Sequence, residues 1–291
     1  MSIVKQSNEK AWIAHTALRD RVNGSAWLRS LNAVRIKLSA SAKRDRFIIK
    51  HLRQQARERG HLLQILDVGC GGGRLYLKAF GEVCGIEPDD NLRQAASRHY
   101  AEVKPGLANQ IPFPSESFDV VTLIDVFGHI DQKSKDESIA EMFRVLRPGG
   151  ILIGFIECDA ENYWYRVAKR RPDLFQKYFV DRLGHFGLEL ATATDARFQK
   201  MGAETVEVRP ADGFFPSVGY LTCLFGGTEY MQEFKWLGPL VAGSKLLGAT
   251  LLTGEVFNCL LCPLSTLVDR LSPPDHCTAL MVSYRKPPTP E

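Results

Sequence analysis

Three acids and two histidines stand where a chain of 291 residues can place groups that do chemistry. Asp67 closes the apolar run Gln64-Ile65-Leu66-Asp67-Val68 and is followed at once by Gly69-Cys70-Gly71-Gly72-Gly73-Arg74. Glu87 closes a second run, Glu82–Ile86, and leads into Pro88-Asp89. Asp125 closes a third, Val120–Ile124, with His129 four residues further on. His185 lies within Gly184-His185-Phe186-Gly187. An acid ending a buried strand, beside glycines that leave the main chain bare, is an arrangement for holding a small polar ligand.

The spacing of the glycines narrows the ligand. A dinucleotide turn of the form G-x-G-x-x-G, counted from Gly69, needs its third glycine at position 74, which is Arg74. The chain has G-x-G-x-G instead. A pyrophosphate beside the carboxylate of Asp67 would be repelled, whereas a cationic ligand would not. S-adenosylmethionine (SAM) carries an ammonium and a sulfonium, so the turn favours SAM over NAD. Glu87, at the end of the second strand of a doubly wound sheet, is placed to accept hydrogen bonds from two ribose hydroxyls.

The chain resembles the class I SAM-dependent methyltransferases, and within them the ubiquinone-biosynthesis-like group of small-molecule enzymes (methyltransferase type 11-like). The matching residues are Ile65–Gly73, Gly85-Ile86-Glu87-Pro88-Asp89, Ile111-Pro112-Phe113-Pro114 with Ser117–Val121, Asp125–Ile130, and Val145-Leu146-Arg147-Pro148-Gly149-Gly150. The resemblance implies that Asp67, Gly69, Gly71 and Gly73 hold the methionine end, and Glu87 with Pro88 the ribose. It places Ala108 and Asn109 at the adenine, and Asp125 and His129 along the reacting side. Related proteins carry an acid where this chain has Leu107, so adenine would rely on backbone groups and apolar contact. His129 is read as a loop organiser or a general base, and His185 as a residue lining the active site.

These residues require a particular scaffold. The apolar runs, alternating with helical patterns, predict an α/β protein with a doubly wound, mostly parallel seven-stranded sheet, the Rossmann-like methyltransferase fold. Strands are expected at Leu63–Val68, Glu82–Ile86, Ala101–Leu107, Val120–Ile124, Ile151–Glu157, Glu204–Val208 and Cys277–Arg285. Helices are expected at Arg74–Phe80, Asn91–Tyr100, Asp136–Leu146 and Ala193–Met201, with Arg147-Pro148-Gly149-Gly150 a breaker and tight turn. Residues 1–60 form an N-terminal helical cap with Trp12, His15 and Trp27 available to cover the ligand. Residues 61–209 form the SAM-binding core, 210–275 an inserted hydrophobic helical subdomain, and 276–291 the last strand and tail.

Composition is that of an ordinary globular chain, 45% hydrophobic and 24% charged, and a net charge of +4 is too small to argue for nucleic acid. The charge is concentrated between Arg19 and Arg59, as a solvated helix face or a surface for anions. Seven cysteines and no apolar leader at Met1–Gln6 suggest a reduced, cytoplasmic setting. Cys259-x-x-Cys262 lacks a second pair, and no metal is expected. The stretch Trp236–Val268 holds only Lys245 and Glu255 as charges, interrupted by Pro239 and Pro263. Three readings of it stay open: a cap over the acceptor pocket, a homodimer interface, or a peripheral membrane patch.

The expected function is SAM-dependent methyl transfer to a small-molecule or lipid-linked acceptor, with oxygen the favoured atom and S-adenosylhomocysteine the product. The alternative is a non-catalytic SAM-binding regulatory or assembly protein. A nucleic-acid methyltransferase is disfavoured, because the chain has no Asn-Pro-Pro-aromatic or paired-cysteine motif.

Overall fold

The computed structural model describes residues 37–39, 42–213, 224–225, 228–247 and 251–286. The expected helices before residue 37, with Trp12, His15 and Trp27, lie outside the described residues, as does the tail after residue 286. The chain runs α1 (Lys43–Arg59), β1 (Leu63–Val68), β2 (Gly81–Ile86), α2 (Asp90–Ala96), β3 (Glu102–Lys104) and β4 (Phe118–Ile124). It continues with α3 (Lys135–Val145), β5 (Leu146–Glu157), α4 (Tyr163–Ala168), α5 (Pro172–Phe175), α6 (Ala191–Lys200) and β6 (Glu204–Ala211). After the insertion helices α7 (Thr228–Glu233), α8 (Gly238–Leu247) and α9 (Leu251–Leu271) comes β7 (Ala279–Arg285).

The seven strands form one sheet in the order β3-β2-β1-β4-β5-β7-β6. All neighbours are parallel except β7, which runs antiparallel to both β5 and β6. The strand order reverses between β1 and β4, so the carboxyl ends of those strands open a crevice there, where ligands bind in such sheets. Unbroken apolar runs suit strands covered on both faces. Leu66 and Val68 of β1 join Phe127, Ile139, Met142 and Phe198 on one side, while Leu63 and Ile65 join Phe47, Ile48 and Leu52 of α1 on the other.

Three expected elements differ locally. Residues Arg74–Phe80 do not form an α-helix; the chain makes only a 3-10 turn over Leu75–Ala79. Arg74 is anchored to β1 and Gly81 already pairs with Leu63, so too few residues remain for α-helical turns, and Leu77 N–H donates to the Arg74 carbonyl at 3.1 Å instead. Arg147-Pro148-Gly149-Gly150 lies within β5 as an irregularity. Pairing with β4 jumps from Phe118–Leu146 to Val120–Ile151, which absorbs the extra residues. The third strand is cut to Glu102–Lys104, because Pro105 and Gly106 follow.

The inserted residues build a second, smaller core. Leu224, Phe225, Tyr230, Leu237 and Val241 are buried with Tyr165, Val167, Leu174 and Phe179 from the segment after β5. Tyr230 Oη donates to the Ala168 carbonyl at 3.0 Å, and Arg171–Glu233 and Lys177–Glu229 pair across the same contact at 2.6 and 2.8 Å. Apolar burial of roughly 1.5–3 kcal/mol per large side chain outweighs those exposed ion pairs, worth about 0–1 kcal/mol each.

Candidate functional site

The glycine turn joins the carboxyl end of β1 to the 3-10 turn. Gly69, Gly71 and Gly73 take φ values of 62°, 55° and 86°, a region that side-chain-bearing residues rarely adopt. The turn is fastened from beneath. Asp67 is fully buried, and its carboxylate accepts from Arg74 Nη1 at 3.1 Å, Tyr100 Oη at 2.8 Å and Thr122 Oγ1 at 2.7 Å. Arg74 is itself buried and also donates to the Ile124 carbonyl at 2.9 Å, tying β1, the turn and β4 together. Burial disfavours the guanidinium charge, but Asp67, together with Tyr76, Tyr100 and Asp125, outweighs it and the pKa of Arg74 is raised.

This geometry changes the argument from charge. Asp67 is neutralised by Arg74 and enclosed by donors, so its carboxylate alone does not distinguish a pyrophosphate from an ammonium. The glycine spacing still does.

Glu87, itself buried, stands beside the same turn. Its Oε2 accepts from the Gly71 N–H at 2.9 Å and its Oε1 from the Asp89 N–H at 3.0 Å. Each oxygen keeps a second lone pair. Burial pushes the Glu87 carboxyl above its ordinary range, partly offset by those two N–H donors. Pro88 beside it is exposed.

Ala108 packs against the core cluster that contains Ile86 and Phe127. Asn109 turns its Nδ2 toward Glu137 Oε2 at 3.4 Å, and Leu107 is 59% exposed.

Asp125 ends β4 with a φ of 57°, an uncommon conformation for a non-glycine residue. Its carboxylate pairs with Arg44 of α1, and the Arg44 guanidinium lies 5.5 Å from the centroid of the Phe155 ring. Burial raises the Asp125 carboxyl, Arg44 lowers it and nearby Glu157 raises it again, for a net upward shift. The first cations of α1 are likewise paired within the protein, whereas Lys50, Arg53 and Arg57 further along the helix are exposed. Lys43 pairs with Asp212 and Asp269 at 3.0 and 2.7 Å, and Arg46 donates to the Ser39 carbonyl at 2.6 Å. For these three cations the expected solvated face is replaced by internal pairing.

His129 and His185 come together although 56 positions separate them in the sequence. Their ring centroids are 4.9 Å apart. His129 Nδ1 is 2.9 Å from the Gly184 carbonyl, which can only accept, so that nitrogen carries the proton. Between the rings stands Glu157, the last residue of β5: Oε1 is 3.3 Å from His185 Nε2, and Oε2 is 3.7 Å from His129 Nε2. Burial would raise the Glu157 carboxyl, but His185, His129 and Arg44 together hold it below its ordinary range.

The two histidine loops are locked to each other. Gly187 N–H donates to the Gly128 carbonyl at 2.9 Å, and any Cβ on Gly187 would lie 1.7 Å from the Ile130 carbonyl oxygen. Buried Lys135 donates to the Gly187 carbonyl and pairs with Glu189 at 3.1 Å.

Two residues of this edge escaped the sequence reading. In the sequence Arg44 is one of many cations between Arg19 and Arg59. Glu157 is the expected end of a strand, and it repeats the pattern of Glu87 and Asp125, an acid closing a strand at the carboxyl edge. That repetition was the signal available.

A parallel sheet that reverses at β1/β4, an antiparallel β7 inserted beside β5, and a glycine turn braced against an acid define the class I methyltransferase architecture. Residues 66–154 match a family described as a methyltransferase domain. An uncharacterized methyltransferase of Anoxybacillus flavithermus is 31% identical over 126 residues, 40% of this chain and 57% of its own. A ubiquinone/menaquinone biosynthesis C-methyltransferase of Burkholderia multivorans is 36% identical over 160 residues, 50% of this chain and 61% of its own. The chain thus spans about half the length of the curated relatives it matches. Among solved structures, a Bacillus halodurans protein described as a candidate methyltransferase superposes with a TM-score of 0.50 at 18% identity. That superposition covers 81% of this chain and 98% of the other, and it establishes the shared fold.

Proposed function

We propose that this protein is a SAM-dependent methyltransferase acting on a small-molecule or lipid-linked acceptor. The observation that carries the reading is Glu87 bonded to the Gly71 N–H, an anionic acceptor fixed against the bare backbone of the glycine turn at the sheet's switch point. Glu87 takes the ribose hydroxyls, with Pro88 beside it. Gly69, Gly71 and Gly73 admit the methionine end, and Ala108 with the backbone at Asn109 borders the adenine. Asp67 acts on the ligand through the turn that it and Arg74 brace. Asp125, paired with Arg44, lines the reacting side.

SAM brings its own leaving group, so the protein's share of the work is to hold the acceptor atom in line with the methyl, about 3–3.5 Å away. A phenolic oxygen or an activated ring carbon both lose a proton in the transfer, and His129 beside Glu157 is placed to take it. Oxygen is the atom favoured by the sequence reading. The description of relatives as quinone-biosynthesis C-methyltransferases makes carbon the second reading.

Calorimetry tests the cofactor site. The wild type should bind SAM, and Glu87→Ala should weaken binding by roughly 1.5–3 kcal/mol, the loss of hydrogen bonds to a charged group. Unchanged affinity removes Glu87 from the ribose. Release of S-adenosylhomocysteine over a panel of phenolic and lipid-linked acceptors then separates an enzyme from a SAM-binding assembly protein, which would bind without turnover.

A further inference from the structure

The cluster at the end of β5 has features that a base alone does not explain. His129 Nδ1–H donates to the Gly184 carbonyl, so in the neutral ring Nε2 is a bare lone pair. That lone pair faces Glu157 Oε2 at 3.7 Å, too far for a hydrogen bond. Glu157 Oε2 is buried and makes no hydrogen bond among the described residues. His185 presents Nε2 to the other carboxylate oxygen, and its ring is held in place by Phe179 at a centroid distance of 5.0 Å. Three electron-pair donors from three separate segments thus converge, all within 4.8 Å of one another.

We propose that His129, Glu157 and His185 form a binding site for a divalent transition-metal ion, of the zinc or ferrous-iron type. Two imidazoles and one carboxylate are the donor set such ions take, whereas magnesium and calcium prefer oxygen alone. With bonds of about 2.0–2.1 Å, a tetrahedral ion needs neighbouring donors about 3.3–3.4 Å apart. The separations of 3.3 and 3.7 Å between Glu157 and the two rings are close to that edge. The widest gap closes if His129, 40% exposed, swings inward.

The surroundings fit the same reading. A metal-bound histidine ordinarily donates its other ring nitrogen to a carbonyl, as His129 does to Gly184. The loops are locked before any ion arrives, by Gly187 against Ile130 and by Lys135 against the Gly187 carbonyl. Three protein donors with one side open to solvent leave a position for an exogenous oxygen, as in a catalytic rather than a closed structural centre. The site lies outside the glycine turn and does not depend on SAM binding there. With an ion bound, His129 Nε2 is a ligand, and an acceptor hydroxyl would be acidified by the metal in place of the free imidazole.

The sequence marks His129 and His185 singly but not as metal ligands. His129, Glu157 and His185 lack any metal-motif spacing, and only the fold makes them neighbours.

The test uses the full-length, untagged protein, stripped with chelator and dialysed against zinc chloride alone. The wild type should retain one zinc per chain by atomic emission. Glu157→Gln and His185→Ala should each lower zinc affinity at least tenfold, while the exposed control His61→Ala leaves it unchanged. Cobalt substitution should show ligand-field bands without sulfur charge transfer, since thiolate bands would move the ion to a cysteine and overturn the proposal. Zinc should raise the melting temperature of the wild type and not of Glu157→Gln. If Glu157→Gln fails to fold, His129→Gln on the exposed side takes its place. No retained zinc, or equal affinity in wild type and ligand variants, refutes the site. SAM calorimetry on the stripped protein keeps that outcome separate from the methyltransferase reading.

Discussion

The bracing of the glycine turn gives the sharpest prediction. Asp67→Ala leaves the Arg74 guanidinium, 3% exposed, with the Ile124 carbonyl as its remaining hydrogen-bond acceptor. It also removes the acceptor of the Tyr100 hydroxyl and leaves Thr122 Oγ1 with the Leu66 carbonyl at 3.4 Å. Breaking a buried pair by removing one partner costs about 3–5 kcal/mol, because the remaining charge is left uncompensated. An ordinary domain is stable by only about 5–15 kcal/mol, so the variant should be folded but fragile. Removing both charges should cost less than removing the acid alone. Asp67→Ala/Arg74→Met is therefore expected to recover about 2–3 kcal/mol relative to the single variant, a coupling energy proper to residues in contact. Urea unfolding of the wild type, both single variants and the double variant measures each corner of the cycle. SAM calorimetry on the double variant then asks whether Asp67 serves the ligand directly. A cost below about 1 kcal/mol for Asp67→Ala, or no coupling, would refute the bracing role.

The remaining predictions concern catalysis, acid stability and the insertion. His129→Gln should cut turnover by about 10²-fold with SAM affinity nearly unchanged, and a loss below about fivefold would assign His129 to holding its loop. Burial alone would raise the Glu189 carboxyl, but Arg197 and Lys135 hold it below its ordinary range. Its contribution is therefore complete above the unfolded-state value and is lost as pH falls through the folded one. Urea midpoints should drop between about pH 5 and pH 3 in the wild type, and less steeply in Glu189→Gln. On α9, Val256, Leu260, Leu264, Leu267 and Leu271 are exposed at helical spacing. For a lipid-linked acceptor this stripe should bind anionic vesicles weakly and with little salt dependence, since Lys43, Arg44 and Arg46 are paired internally; Leu260→Asp with Leu267→Asp should abolish it. A protein that stays in the supernatant removes the membrane reading, and light scattering then decides between a dimer and a monomeric cap. Among the described residues, no helix is long and apolar enough to cross a membrane.

The sequence by itself determined the sheet and the turn. Apolar runs such as Val120–Ile124, broken only by Thr122, are strands wherever they are buried on both faces, and Gly69, Gly71 and Gly73 are demanded by backbone angles that local chemistry fixes. A connection of more than 60 residues between β6 and β7 is far longer than an ordinary loop, which is the sequence's reason to expect added structure there. Tertiary structure decided which groups are available. In the sequence Arg74 is only a residue that spoils a dinucleotide motif; in the fold it turns inward and neutralises Asp67. Lys43, Arg44 and Arg46 look like one basic face, yet Lys43 and Arg44 meet Asp212, Asp269 and Asp125, and Arg46 meets the Ser39 carbonyl. His129, Glu157 and His185 are spread over 57 positions and form a cluster only because β4, β5 and the Gly184 loop end at one edge. Helix and strand periods depend on neighbours within a few residues, so a sequence displays them. Charge pairing and ligand clusters depend on which distant side chains share a space a few ångströms across, and the folded chain alone sets that.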